Sequence, residues 1–327
     1  MAEQLFKIPP DWHGKPYYSL DAWCKNTYGE KCYKIALDAG FSCPNRDGTL
    51  GNGGCIFCSA GGSGEFAVEI RNSDLSTQLQ KGLSLFHDKK IGTRFIAYFQ
   101  AYTNTYGPIK KLRRIYETAL QNPEVCGISI ATRPDCVGED VCALLSELKE
   151  KYTDKFIWVE LGLQTIHEAT ARFIRRGYDL TCFEDTFHRL SDIGIPVIVH
   201  VILGLPGEGN EEIFETISYL NRLSPFGIKL QLLHILKGTE LAHIYEAQPF
   251  PVYSQEEYLS VLTGCISRLS PDIVIHRVTG DGPKELLLAP LWSLNKRQVL
   301  NRLHAKMKQE NIYQGRNYHD TGSIDFI

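Results

Sequence analysis

A chain of 327 residues with 43% hydrophobic and 22% charged side chains can bury a full core, and no run in it approaches the roughly 18 apolar residues of a membrane span. The net charge of −3 excludes a protein coated in positive charge, and ten cysteines in a chain too large to need staples argue against a disulfide framework. The opening MAEQLFKIPPDWHG lacks the basic, apolar and small-residue order of a secretory signal, so the expected compartment is the cytoplasm, with no membrane association.

The first elements are read in chain order. Residues 1–30 carry Trp12, Tyr17, Tyr18, Trp23 and Tyr28 at polar spacing and form an aromatic arm packed on the domain. CYKIALDAG is a strand, followed by a cysteine-bearing loop and a helix near Asp74 to Phe86. RFIAYFQ is a short apolar strand, and GPIKKLRRIYETALQN is an amphipathic helix with Pro108 near its start. The alternation continues through strand GISIAT, helix EDVCALLSELKEKY, strand FIWVELGLQ and helices from about His167 to Ile193. Strand PVIVHVILG, helix NEEIFETISYLNRL and strand GIKLQLLHIL complete it. After Leu241 the pattern weakens into a helix near Gln255 to Leu269, a strand DIVIHRV, a loop TGDGPKEL and a helix near Asn295 to Gln309.

Short, continuously apolar strands separated by helices imply a parallel sheet covered on both faces. The fold class is therefore α/β, a partial (β/α)6 barrel of the TIM type over residues 31–241, with the N-terminal arm of residues 1–30 and a C-terminal α/β extension over 242–327. Such barrels place their chemistry on loops at the carboxyl ends of the strands. Cys43, Cys55 and Cys58 follow the first strand; Gln100, Thr103 and Asn104 end the second; Thr132, Arg133 and Asp135 end the third; Glu160 and Gln164 flank the end of the fourth. GLPGE follows the fifth, and Lys237 to Thr239 the sixth. An open doubly wound sheet would instead require a dinucleotide fingerprint after the first strand, which GNGGC does not match.

The stretch CPNRDGTLGNGGCIFC holds three thiols and four glycines and almost nothing that could form a core. A structural zinc site takes four ligands in CxxC pairs, whereas here one pair, Cys55 and Cys58, has a single partner in Cys43. Three cysteines leave one corner of a four-iron cluster open to another ligand. Cluster, zinc and a plain loop with unrelated thiols all stand as readings. Gly48, Gly51, Gly53 and Gly54 weigh toward the first, because they supply the tight turns that wrap a bulky inorganic core. The other seven cysteines lack ligand-like pairing, with Cys24 and Cys32, or Cys136 and Cys142, as faint leads for a second cluster.

Beyond these residues the chain resembles the radical S-adenosylmethionine superfamily, in a bacterial subgroup related to the radical domain of the catalytic subunit of Elongator. The resemblance runs through FSCPNRDGTLGNGGCIFCSAGGSGEF, ISIATRPDC, WVELGLQTIHE, RRGYDL, HVILGLPGE, IKLQLLHILKGTEL and HRVTGDGP to LWSLNK. The eleven residues between Cys43 and Cys55 depart from the compact CxxxCxxC of the superfamily and match this subgroup. The resemblance implies that Cys43, Cys55 and Cys58 ligate a [4Fe-4S] cluster. Its fourth iron would take the amino and carboxylate groups of S-adenosylmethionine, and an electron from a donor such as flavodoxin or ferredoxin would yield a 5′-deoxyadenosyl radical. It further implies that Gln100, Thr103 and Asn104 stand where the methionine amino group is held, although the usual Gly-Gly-Glu is missing. Glu160 and Gln164 would contact ribose or the methionine moiety, and Gly204 in GLPGE would let backbone approach the adenine. Arg133 matches the cofactor carboxylate by its fork, with an ion pair to Asp135 or Glu160 as the alternative. His200, His234 and Lys237 are substrate-site candidates.

The Elongator likeness points to the wobble uridine of transfer RNA, whose C5 substituent a single radical module can remodel. Between Lys296 and Arg316 six Lys or Arg residues stand against the one acid Glu310, and Lys110 to Arg114 and Arg175–Arg176 add positive density that suits a phosphate backbone. Tyr178 and Tyr313 near these patches are stacking candidates. Radical chemistry on a small metabolite or peptide is the alternative within enzymes, and a non-catalytic iron–sulfur or zinc protein the alternative outside them.

Overall fold

The computed structural model describes residues 7–62, 74–88, 92–280 and 282–319. The start of the aromatic arm, the SGEF end of the cysteine loop, Asp281 of TGDG and residues 320–327 lie outside the described residues. The chain divides into two compact units, one of Tyr28–Leu163 and Arg172–Val199, the other of Met1–Thr27, Gln164–Ala171 and His200–Ile327.

The strands are β1 (Cys32–Leu37), β2 (Arg94–Phe99), β3 (Val125–Thr132), β4 (Phe156–Gln164), β5 (Val197–Leu203), β6 (Gly227–Leu232), β7 (Ile235–Leu236), β8 (Val274–Arg277) and β9 (Leu287–Ala289). The helices are α1 (Leu20–Tyr28), α2 (Leu75–Asp88), α3 (Ile109–Leu120), α4 (Glu139–Lys151), α5 (Glu168–Phe173), α6 (Leu180–Asp192), α7 (Asn210–Leu223), α8 (Glu240–Ala247), α9 (Gln255–Arg268) and α10 (Lys296–Gln309). Seven strands form one parallel sheet in the order β1-β2-β3-β4-β5-β6-β8, so neighbours in sequence are neighbours in the sheet, as in a (β/α) barrel. The expected α/β alternation is therefore observed. A seventh strand joins it: β8, from the segment DIVIHRV, pairs parallel with β6. GIKLQLLHIL is not one strand but two, because the chain leaves the sheet after Leu232 and β7 pairs antiparallel with β9.

In the first unit the pleat sorts side chains by parity. Ile35, Ala97, Phe99, Ile128, Ile130 and Val159 share one face and are buried. That face meets the helices: Gly82 of α2 lies so close to Ile35 that a Cβ there would stand 2.3 Å from it, and Phe99 meets Tyr116 of α3 edge-on at 5.5 Å. Leu112, Ile115, Tyr116, Ala119 and Leu120 form the buried stripe of α3, at the spacing of one helical face. The opposite face of the same strands is different. It carries Lys34, Tyr98, Ser129 and Glu160 beside Trp158, on which Phe156 stacks at 3.8 Å between ring centroids. Gly127 faces Phe156, and a Cβ there would stand 2.4 Å from the ring, so glycine makes room for the stack.

In the second unit the segment up to Thr27 packs on later elements. Ser19 bridges to Ile275 in parallel, and Trp23 of α1 packs edge-on against Phe226 at 5.6 Å. The buried Gln314 accepts from the Tyr18 amide at 2.9 Å and donates to the carbonyls of Ser270 and Ile273 at 2.6 and 2.8 Å, closing backbone groups that would otherwise be stranded.

Candidate functional site

Three loops leave the carboxyl edge of the first unit's sheet, after β1, β2 and β3, and they carry most of the unusual residues. The first holds Cys43, Cys55 and Cys58, all free thiols and all half-buried. Its shape is set locally. The Cys43 carbonyl accepts from the amides of Arg46 and Asp47 at 2.8 and 3.1 Å, and the Cys58 amide returns to the Cys55 carbonyl at 2.9 Å. Gly54 sits at φ +78°, where a Cβ would stand 2.8 Å from the Arg46 guanidine. Arg46 in turn donates to the carbonyls of Cys58 and Ser59, fastening one end of the loop to the other.

The thiols feel one another electrostatically. Burial first, and then the neighbouring Cys58 and Cys43, push the Cys55 thiol up to about 12, while Arg133 pulls in the opposite direction. Ligation takes the thiolate, so a metal centre at this loop must displace the proton of Cys55. Among the described residues no three His, Cys, Asp or Glu side chains converge tightly enough for one metal ion. Ligands of an iron–sulfur cube grip separate irons and stand farther apart than those of a single ion, so three thiols on one short loop suit the cube.

The loop after β2 is tied to the cysteine loop by the Thr103 amide, which donates to the Ser42 carbonyl at 3.2 Å. Gln100 is half-buried, whereas Thr103 and Asn104 are fully buried. The Asn104 amide donates to the carbonyls of Ala101 and Ala131 at 3.1 and 2.9 Å. Its Oδ1, like the hydroxyl of Ser59, is buried without a partner among the described residues.

After β3, Arg133 is buried and its fork is engaged. Nε and Nη2 reach Asp135 at 2.9 and 2.7 Å, and Nη1 donates to the Arg176 carbonyl at 2.8 Å. Its guanidinium and that of Arg176 each lie 4.8 Å from the centre of the Tyr178 ring. The Tyr178 hydroxyl donates to the Gly162 carbonyl, and burial raises its pKa. Burial also raises the Cys136 thiol, with Asp135 adding to it. Of the two acids expected as ion-pair partners should Arg133 not face the cofactor carboxylate, Asp135 is its partner and Glu160 is not among its contacts. Glu160 has no exposure, and its Oε1 accepts from Ser129 at 2.6 Å and from Lys34 at 2.8 Å. The Lys34 ammonium also lies 4.6 Å from the Tyr98 ring centre.

The remaining expected residues belong to the second unit. Gln164 takes φ +68° with its Oε1 buried and unpartnered among the described residues. Gly204 takes φ +89°, where a Cβ would stand 3.0 Å from the Tyr253 ring. Glu208 of GLPGE accepts from the Thr165 hydroxyl at 2.5 Å; burial raises its pKa, with hydrogen bonds from Thr165 and Thr170 opposing. His200 is half-buried. His234 meets the Ser293 hydroxyl at 3.0 Å, and the ring is enclosed by Gly280 and Gly282. Lys237 is exposed, its amide donating to the Leu286 carbonyl at 2.7 Å. Cys24, Cys32, Cys126, Cys142 and Cys265 are buried. Arg176, expected as part of a basic patch for a phosphate backbone, is instead buried, its Nη1 donating to the Leu163 carbonyl at 3.0 Å. Sequence reasoning passed over Asn45 and Arg46. Arg46 and Asn45 lie between the expected ligands, but nothing in the spacing of CPNRDG says what they touch.

Comparison with known proteins fits this arrangement. Residues 48–220 match the profile of the radical SAM superfamily and residues 225–309 that of the radical SAM C-terminal domain. The first match takes in Cys55 and Cys58 and begins after Cys43. The protein YtqA of Bacillus subtilis is 44% identical over 302 residues, 92% of each chain. YhcC of Escherichia coli K12 is 39% identical over 269 residues, 82% of this chain and 85% of that one. Human Elongator complex protein 3 is 26% identical over 180 residues, 53% of this chain but 31% of that protein. The fold is shared with the archaeal Elp3 of Methanocaldococcus infernus, at a TM-score of 0.67 and 16% identity over 86% of this chain and 64% of that one. No helix among the described residues is long and apolar enough to cross a membrane. By its family match over more than half its length, and by relatives 44% and 39% identical over most of theirs, the chain belongs to the radical SAM superfamily and is an enzyme that uses a [4Fe-4S] cluster and S-adenosylmethionine.

Proposed function

We propose that Cys43, Cys55 and Cys58 hold the cluster and that the enzyme remodels the C5 side chain of the wobble uridine of transfer RNA. The observation that supports the ligand set is the gathering of three free thiols on one loop, close enough that two of them raise the pKa of the third. When bound, the cluster and S-adenosylmethionine supply a 5′-deoxyadenosyl radical that takes a hydrogen atom from substrate.

The chain's own residues bind, orient and exclude water. Loop 100–104, with its half-buried Gln100 and the unpartnered Oδ1 of Asn104, receives the cofactor's amino group. Gln164 and Gly204 contact its nucleoside part. Arg133, whose fork is occupied by Asp135, contributes its positive field toward the thiols and not a bidentate grip. Glu160 acts through Lys34, whose ammonium it holds. His200, His234 and Lys237 face the substrate. Residues 31–241 carry the radical chemistry, an electron donor such as flavodoxin or ferredoxin feeds it, and the extension from residue 242 contributes to RNA binding.

The substrate reading rests on the Elongator likeness, supported by charge. On α10, Lys296, Arg297, Arg302 and Lys308 are exposed. Nucleoside mass spectrometry of transfer RNA from cells with and without the gene tests it. The expected result is a changed population of wobble-uridine side chains in the deletion strain; an unchanged profile in an organism that makes such modifications removes this substrate and leaves the family assignment intact.

A further inference from the structure

We infer that Asn45 is a positioning residue for the cluster: it couples the sulfur of Cys55 to a brace formed by Ile174–Gly177 and sets the cluster's reduction potential through an N–H···S hydrogen bond. The inference rests on the reading of Cys55 as a ligand.

Asn45 is buried, with only 6% exposed, in the loop that carries the three thiols. Its Nδ2 lies 2.7 Å from the Arg175 carbonyl and 3.6 Å from Cys55 Sγ. A carbonyl only accepts, so the amide nitrogen must face it, and the same NH2 group then presents its second hydrogen to the sulfur. The Asn45 carbonyl is engaged as well, accepting from the Gly54 amide at 2.7 Å. One residue thus ties the turn before Cys55 to a segment more than a hundred residues away.

That segment is arranged to receive it. Three successive carbonyls take donors from the loops at the sheet's carboxyl edge. Ile174 accepts from the Ile56 amide at 3.1 Å, Arg175 from Asn45, and Arg176 from Arg133 Nη1 at 2.8 Å. Consecutive carbonyls of a helix or strand do not point at three separate donors in this way. The left-handed backbone at Arg175, φ +53°, and Gly177, φ +83°, turns them there.

The glycines around Asn45 fit the same purpose. A Cβ on Gly51 would stand 3.0 Å from Asn45 Oδ1, and one on Gly177 would stand 3.3 Å from the same atom. Two positions far apart in sequence are therefore kept bare where the amide sits. Hydrogen bonds to ligating sulfur stabilise the more negative, reduced cluster and raise its potential. Removing the donor lowers it.

Asn45→Leu is close in size, adds no charge and removes both donors. Gly51→Ala keeps the amide and presses on its oxygen. Two measurements separate the roles. In the protein without iron, hydrogen exchange at the Ile56 amide is expected to quicken roughly tenfold in Asn45→Leu, the loss of a hydrogen bond that holds the loop to its brace, and by less in Gly51→Ala. In the anaerobically reconstituted protein, an EPR-monitored redox titration of Asn45→Leu is expected to give wild-type iron content with a lower midpoint potential. A purely structural role moves the first reading and not the second. An unchanged or raised midpoint in Asn45→Leu at full iron content, or unchanged exchange in both variants, overturns the inference. Failure of the ligand assignment shows separately, as full iron retention in Cys55→Ala.

Discussion

Arg133 and Asp135, two residues apart on the loop after β3, face each other through two parallel hydrogen bonds, Nε to Oδ1 at 2.9 Å and Nη2 to Oδ2 at 2.7 Å. Both side chains are largely shielded, with 10% and 19% exposed. Taking one charge out of such a pair leaves the other in low dielectric, at a cost of about 3 kcal/mol. Asp135→Ala is expected to lower the denaturation free energy by about that amount, and the double variant Asp135→Ala with Arg133→Met to recover part of it. Urea unfolding of the three proteins checks this; equal stabilities would mean that solvent reaches the guanidinium freely.

The pair of Lys34 with Glu160 makes a related prediction with a different order of severity. Glu160 is fully buried, so Lys34→Met withdraws the ammonium from a carboxylate that has no water to turn to and is expected to destabilise by about 3 kcal/mol. Glu160→Gln keeps an acceptor for Ser129 and Lys34 and is expected to cost about 1 kcal/mol. Thermal unfolding of both variants at neutral pH gives the ranking.

Cysteine replacement separates ligands from bystanders. Cys43→Ala, Cys55→Ala and Cys58→Ala are each expected to lose iron and sulfide together with 5′-deoxyadenosine formation after anaerobic reconstitution. Cys136→Ala and Cys182→Ala are expected to keep them, although Cys136 lies within electrostatic reach of Cys43. Iron analysis and chromatography of the reaction products read the two effects independently.

Glu208 gives stability a pH dependence of known sign. Its folded-state pKa is raised by burial, so it binds its proton more tightly folded than unfolded. This contribution is fully present below the ordinary carboxyl pKa and is lost as pH rises through the raised value, because the unfolded chain ionises first. Glu208→Gln lacks that loss. The stability of the variant relative to the wild type is expected to improve between pH 4 and pH 7; a difference independent of pH would place Glu208 in contact with water.

Much of this was legible in the sequence because strands such as GISIAT, buried along all of β3, announce themselves by continuous apolar runs. In sequence DIVIHRV reads as part of an extension, since four residues of strand carry no sign of the sheet they join; only pairing with β6 decides it. The helices expected from about His167 to Ile193 are α5 and α6, and the place of the break between them, with left-handed backbone at Arg175 and Gly177, is not marked by hydrophobic spacing. The thiols were visible by their spacing and glycines. The partners of Arg133 were visible as alternatives, because Asp135 is local and Glu160 is not. Asn45 was illegible: one of its amide hydrogens goes to the Arg175 carbonyl, and no local pattern reports a contact over that distance.

The turn connecting α5 to α6 also bears on how the enzyme is assembled. The proposed ligands all come from one short stretch whose bends are closed by its own amides, while part of the surface that receives it is built from later sequence: Ile174 and Arg175 must be synthesised and folded before Ile56 and Asn45 find their acceptors. A ribosome-bound fragment ending before α5 would therefore hold its thiol loop through the loop after β2 without this second brace, and metal delivery is best timed after the polypeptide has passed Gly177.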